Sequence, residues 1–174
     1  DFAEYMAEKR TLANMMLKNA EIYKEETALT QKNNRGQWET ISWSDFAARI
    51  KAVSKFLIAN GVKEGEMCSV FSGNCAEWAV ADMGILAART VSVPIYATNS
   101  REEAEYIIND AEVKVLFVGD QDQYDKGLNL IAGNRFLKFI VAMNDSIKIT
   151  GDKSFYLSRI IEDGGGKVSD SDFE

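Results

Sequence analysis

Histidine is absent from the 174 residues, proline occurs once, at Pro94, and cysteine twice, at Cys68 and Cys75. The missing imidazole excludes Ser-His and Cys-His catalytic pairs and histidine-ligated metal centres. Two thiols cannot complete a four-thiolate zinc site. Unaccompanied, they fit a reducing compartment better than a disulfide framework. Long apolar runs are lacking too: the longest charge-free stretch, Thr90 to Ser100, falls well short of the about 20 residues that cross a bilayer. Positive charge is in deficit, with 20 lysines and arginines against 27 acids and a formal net charge of −7. Such a surface on average repels nucleic acid and anionic membranes. Asp1 opens the chain with no basic-then-apolar signal segment after it. The expectation is a cytoplasmic protein, a cut piece of a longer one.

What is present is an ordinary globular composition, 46% hydrophobic and 27% charged, which suits one domain with a core of its own and argues against disorder. Residues 1–10 are weakly patterned. Leu12, Met15, Met16, Ala20 and Tyr23 then recur at helical spacing behind Thr11 as a cap. Between Thr27 and Trp43, two short β-leaning runs flank an Asn/Gly turn and predict a hairpin. Ser44 is the expected cap of a helix whose inner face is Phe46, Ile50, Val53 and Leu57, and Gly61 is its stop.

From there strands and helices alternate. Apolar runs at Met67–Phe71, Val91–Ile95, Lys114–Val118 and Lys138–Ala142 predict four strands. A helix from Asn74, expected as its cap with Glu77 three residues on, runs to about Ala88 and is apolar around most of its circumference. Ser100 and Glu103 make a capping box for the next, with Ala104, Ile107, Ile108 and Ala111 facing inward. A weaker helix is expected around Gln123 to Ile131 and a last one from Ser154 to Ile161. The alternation predicts βαβ units and a doubly wound, mostly parallel α/β sheet with helices on both faces, plus the N-terminal helix and hairpin. The tail after Ile161, acidic and without periodicity, reads as a linker or truncated end.

Few residues suggest chemistry. Gly164–Gly166 lacks the flanking strand, helix and spacing of a phosphate loop and reads as linker. Ser72-Gly73-Asn74 lies between a strand end and a helix start, where open α/β sheets bind ligands, but a tight turn with Asn74 as cap accounts for it. Cys75 at a helix start and Cys68 in a strand read as structural. Glu102, Glu103 and Glu105 fit a solvated first helical turn, and Trp38, Trp43 and Trp78 read as anchors of hairpin and core. The excess of Arg135, Lys138, Lys148, Lys153 and Arg159 within residues 133–159 reads as a solvated face. Pro94–Ser100, uncharged and following a strand, fits a ligand-lining loop and a well-formed βα turn equally. No nucleophile–base pair, metal set or phosphate loop emerges.

An ordered set of segments carries a resemblance. It comprises Ile41-Ser-Trp-Ser-Asp-Phe46, Gly61-Val-Lys-Glu-Gly-Glu66, Val70-Phe-Ser-Gly-Asn-Cys-Ala-Glu-Trp78, Ala87-Ala-Arg-Thr-Val-Ser-Val-Pro-Ile-Tyr-Ala-Thr-Asn-Ser100, Tyr106-Ile-Ile-Asn-Asp110 and Val115-Leu-Phe-Val118. Together, across most of residues 11–161, they resemble the N-terminal part of AMP-forming long-chain fatty-acid–CoA ligases of the adenylate-forming superfamily. Glu66 stands where that family often has Asp, and Arg89 and Thr90 where a Gly-Ala pair is common. The resemblance implies a two-step reaction: a fatty-acid carboxylate attacks ATP, accompanied by magnesium (Mg2+), to give an acyl-adenylate and pyrophosphate, and coenzyme A then displaces AMP. The family's Ser/Thr/Gly-rich phosphate loop, adenine motif, hinge and lysine-bearing C-terminal domain do not occur in this sequence. The expectation is therefore a subdomain over residues 1–162 that is inactive alone, followed by a linker or tail over 163–174, with no catalytic residue or metal ligand assigned. The resemblance places the turn of Tyr96, Ala97, Thr98 and Asn99 near the coenzyme A passage and the N-terminal region in homodimer contacts. A free-standing flavodoxin-like ligand-binding module and a dimerisation or docking domain are the alternatives.

Overall fold

The computed structural model describes residues 11–33 and 35–166; the weakly patterned start and the tail from Lys167 lie outside them. Helix α1 (Leu12–Tyr23) begins as expected, with the Asn14 N–H donating to Thr11 Oγ1 at 3.2 Å. The hairpin follows as β1 (Thr27–Lys32) and β2 (Trp38–Ser42), antiparallel with Leu29 opposite Ile41 and Lys32 opposite Trp38. Its turn is closed by Asn33, whose Oδ1 accepts the N–H groups of Arg35 and Gln37. Trp43 packs against the core, tilted on Tyr23 and edge-on to Phe46, and Trp78 also packs there. Trp38 does not: it is 69% exposed, with the Lys32 ammonium 5.0 Å above its ring. On an outer strand of a two-stranded ribbon its side chain has no second layer to enter.

Helix α2 (Trp43–Ala59) is capped by Ser42, not Ser44: Ser42 is extended, and its Oγ accepts the Asp45 N–H at 3.2 Å. The last residue of β2 thus doubles as the cap, and strand passes into helix without a loop. Then come β3 (Met67–Ser72), α3 (Ala76–Ala87), β4 (Val91–Tyr96), α4 (Arg101–Asp110), β5 (Val115–Val118), α5 (Gln121–Ile131) and β6 (Phe139–Ala142). The capping box of α4 forms as expected. The stretch read as one last helix divides into a short strand, β7 (Ser154–Tyr156), and α6 (Leu157–Glu162). Three residues are too few to display the period-2 alternation of a strand, but they pair in register with Ile140–Ala142.

The main sheet has five strands, all parallel, in the order β4-β3-β5-β6-β7. β5 shows how both faces are buried. All four of its residues are fully buried; Val115 and Phe117 join the cluster under α2, α3 and α6, while Leu116 and Val118 join the one under α4 and α5. Burying a side chain of this size contributes roughly 1.5–3 kcal/mol. None of the residues of α3 is exposed, in line with its continuous apolar composition. A Cβ on Gly84 would come within 2.5 Å of Val53, so glycine is what lets α3 lie this close to α2. Among the described residues, no helix is long and apolar enough to cross a membrane.

Of the helices that lead into strands of the main sheet, α2, α3 and α4 end in one kind of turn, which α6 repeats at Gly164. After α2, Val62 N–H donates to Leu57 O and Gly61 N–H to Ile58 O; after α3, Thr90 donates to Ile85 and Arg89 to Leu86; after α4, Val113 donates to Ile108 and Glu112 to Asn109. The turn requires a left-handed residue, and the residues there are Gly61 (φ 72°), Arg89 (φ 58°) and Glu112 (φ 53°). The Arg89 side chain is largely exposed, so it does not crowd the strand. What glycine would supply there is backbone freedom.

Candidate functional site: a crevice where the strand order reverses

The chain runs from β3 outward to β4, then returns past β3 to lay β5 on its other side. Loops leaving β3 and β5 therefore diverge, and a crevice opens between them at the carboxyl ends. Its floor is Ser72–Cys75 after β3, Gly119 and Asp120 after β5, and Met143–Asp145 after β6. The hairpin (Gln31, Lys32, Asn33, Glu39), Arg49 of α2 and the start of α6 form its walls, enclosing about 570 Å³. Gly119 permits this closeness: a Cβ there would lie 2.1 Å from Ser72 Oγ.

Ser72-Gly73-Asn74 is thus in the crevice, but Asn74 is not the helix cap. Cys75 is the N-cap residue of α3, without a side-chain cap bond. The hairpin supplies the missing acceptor: Gln31 Oε1 takes the Ala76 N–H at 2.8 Å, and Gln31 Nε2 donates to Glu77 at 3.1 Å. A residue 45 positions away therefore does what a local cap would do, and Asn74 lies on the crevice floor with no hydrogen-bond partner among the described residues. Burial raises the pKa of the Cys75 thiol despite the opposing Trp78 N–H. Burial also pushes Cys68 up to about 12. Both thiols are therefore protonated and poor nucleophiles near neutrality.

Asp120 and Gln123 form a second floor element that sequence reading missed. Asp120 Oδ1 accepts the Gln123 N–H at 2.8 Å, and Gln123 Oε1 accepts the N–H groups of Gly119 and Asp120. The spacing Asp-x-x-Gln is a capping-box signal and starts α5 two residues before the expected Gln123. Behind it, the buried Tyr124 hydroxyl accepts the Thr150 N–H and bonds Ser154 Oγ, each at 2.9 Å. This pins the loop before β7. Burial alone would raise the tyrosine pKa, but the hydrogen bonds of Ser154 and Thr150 outweigh it and hold the value below the ordinary one.

Tyr96, Ala97, Thr98 and Asn99 lie elsewhere. They form a turn beyond the edge strand β4, with the Asn99 N–H on Tyr96 O at 2.9 Å and Lys126 Nζ on Asn99 O. Tyr96 is 84% exposed. Glu102 sits in the first turn of α4, where its own backbone N–H and the Ser100 hydroxyl hold its carboxyl below the usual range. The expected basic excess is not gathered: Lys138 donates to Gly61 O, Arg135 stacks on Phe136, and Arg159 pairs with Glu162. The Gly164–Gly166 run, expected in a linker, ends α6, and Gly165 packs against Ala52 so closely that a Cβ would meet its carbonyl oxygen at 2.1 Å.

The strand order and crevice define a doubly wound α/β domain of flavodoxin-like strand order. The family model for AMP-binding enzymes matches residues 16–152, and the chain belongs to that family. A long-chain-fatty-acid–CoA ligase of Mycobacterium bovis is 32% identical over 129 residues, 74% of this chain and 20% of the relative. One from Mus musculus is 31% identical over 116 residues, 67% of this chain and 17% of the relative. The chain thus spans about a fifth of the length of the curated relatives it matches. In fold it is similar to a putative long-chain-fatty-acid CoA ligase from Rhodopseudomonas palustris (TM-score 0.74, 19% identity, 87% of this chain and 36% of that one). It is likewise similar to an anthranilate CoA ligase in complex with anthranoyl-AMP (TM-score 0.74, 20% identity, 86% of this chain and 27% of that one).

Proposed function

We propose that the chain is the N-terminal part of an ATP-dependent, AMP-forming long-chain fatty-acid–CoA ligase and that it is not catalytic by itself. The observation that carries this reading is the 32% identity to a long-chain-fatty-acid–CoA ligase across 129 residues. In the whole protein a fatty-acid carboxylate attacks ATP, pyrophosphate leaves, and the thiol of coenzyme A attacks the acyl carbon and expels AMP. Residues 1–162 serve as the subdomain, and the Gly164–Gly166 turn still packs on it at Ala52. The turn of Tyr96, Ala97, Thr98 and Asn99 contributes to the wall of the coenzyme A passage; its exposure, lack of charge and position at a strand's carboxyl end support this. Magnesium enters with ATP in the whole protein. The exposed apolar side chains of Leu12, Met15 and Ile22 on α1 support a homodimer contact, and the two unpaired thiols support a cytoplasmic setting.

The test is thioester synthesis from a long-chain fatty acid, ATP and coenzyme A. The 174-residue chain should give none, while the polypeptide extended to the length of its relatives should give product. The crevice also favours a second reading, a free-standing ligand-binding module. Calorimetry with ATP, flavin and coenzyme A separates the two: heat from flavin alone would favour the module.

A further inference from the structure

The Tyr96–Asn99 turn is tied at both ends of its last residue. Asn99 N–H donates to Tyr96 O at 2.9 Å within the turn. Asn99 O accepts Lys126 Nζ of α5 at 3.3 Å, a bond that spans 27 positions of sequence. The turn leaves an edge strand, and Tyr96, Ala97 and Thr98 are exposed while Asn99 is half-buried. A segment with so little packing takes its order from such bonds. The Lys126 ammonium is itself fixed. Asp122 Oδ2 lies 2.7 Å away, one helical turn back, and the Phe71 ring of β3 has its centroid 5.7 Å away. The helix below is a firm base, because Gly127 brings α5 down to where a Cβ would meet Leu116 at 2.9 Å.

Asp122 neutralises the ammonium at short range, and the Lys126 side chain is only 22% exposed. A molecule passing this place therefore meets the uncharged surface of the turn rather than a free cation. Neither Lys126 nor any residue of the turn lines the crevice at the β3/β5 reversal, so a change at Lys126 acts on the turn and leaves the crevice as it is. We propose that Lys126 is a positioning residue for coenzyme A. By holding Asn99 O it sets the wall along which the thiol-bearing arm of coenzyme A approaches the acyl-adenylate, and it serves thioester formation rather than adenylation. This inference rests on the ligase reading and on the place given there to the turn.

The test uses Lys126→Met, which removes the donor and keeps an apolar stem, in two polypeptides. In the 15N-labelled 174-residue chain, the Thr98 and Asn99 amides should lose order in relaxation measurements while the urea midpoint stays in place. In the polypeptide extended to the length of its relatives, the KM for coenzyme A should rise about fivefold, with the KM for ATP and the rate of ATP–pyrophosphate exchange unchanged. A merely structural role does not give that split. Lys126→Arg, which keeps a charged donor, should restore the wild-type KM. The same penalty is expected with dephospho-coenzyme A, since a direct ammonium–phosphate contact would lose part of it there. With an active extended wild type, an unchanged KM for coenzyme A, an equal rise for ATP, a smaller penalty with dephospho-coenzyme A or unmoved turn amides would overturn this proposal alone. No product from the extended wild type would overturn the ligase reading and this proposal with it.

Discussion

At the amino ends of the sheet, α2, α3 and α4 each finish in the same pair of backbone hydrogen bonds and turn into β3, β4 and β5; at the carboxyl ends, β3, β5 and β6 open into polar loops around a crevice of about 570 Å³. The amino-end turns satisfy their backbone groups locally, so the residue type matters there only through φ. The carboxyl-end loops rely on side chains from distant segments: Gln31 caps α3, Gln123 holds Gly119, and Tyr124 holds Thr150. Substitutions should therefore cost more at the carboxyl end than at the amino end.

Gly119→Ala should have the largest effect. The new methyl collides with Ser72 Oγ, and relieving an overpacked site of this kind costs about 1–3 kcal/mol; urea unfolding would measure it. Placing Gly119→Ala in a Ser72→Gly background should recover most of that loss, because the clash is with the Ser72 side chain. Tyr124→Phe comes next: it leaves the Thr150 N–H without its acceptor, at a cost of about 1–2 kcal/mol in the same titration. Gln31→Ala removes the distant cap of α3 and should lower stability by about 1 kcal/mol. At the amino end the sign reverses. Arg89→Gly should raise stability by about 0.5–1 kcal/mol, since glycine adopts φ 58° without strain. A loss there would show that the loose Glu64 contact at 3.9 Å, or the entropy of glycine in the unfolded chain, outweighs the backbone term.

The same division separates what the amino-acid sequence spells out locally from what only the fold brings together. Four strands, the hairpin and the helices that cover them are written in local apolar periodicity, so α/β order and parallel pairing were legible. β7 was not, because Ser154-Phe155-Tyr156 runs straight into α6 and its apolar residues merge with the helical stripe. Caps supplied from afar were equally hidden: Asn74 has the right local spacing, yet the acceptor for Ala76 comes from Gln31. At the crevice, the strand end at Ser72 was visible, and Asp120-x-x-Gln123 carried a capping signal that went unused. Their convergence was not visible, since it depends on β5 skipping past β4 to lie beside β3. The Tyr96–Asn99 turn was recognisable as a turn, and its exposure followed only from β4 being an edge.

The account stands or falls on where the chemistry resides. A coupled assay for acyl-CoA formation, run on the purified 174-residue chain with palmitate, ATP, magnesium and coenzyme A, tests it most directly. The account predicts no thioester above the enzyme-free control; turnover by this chain alone would contradict it.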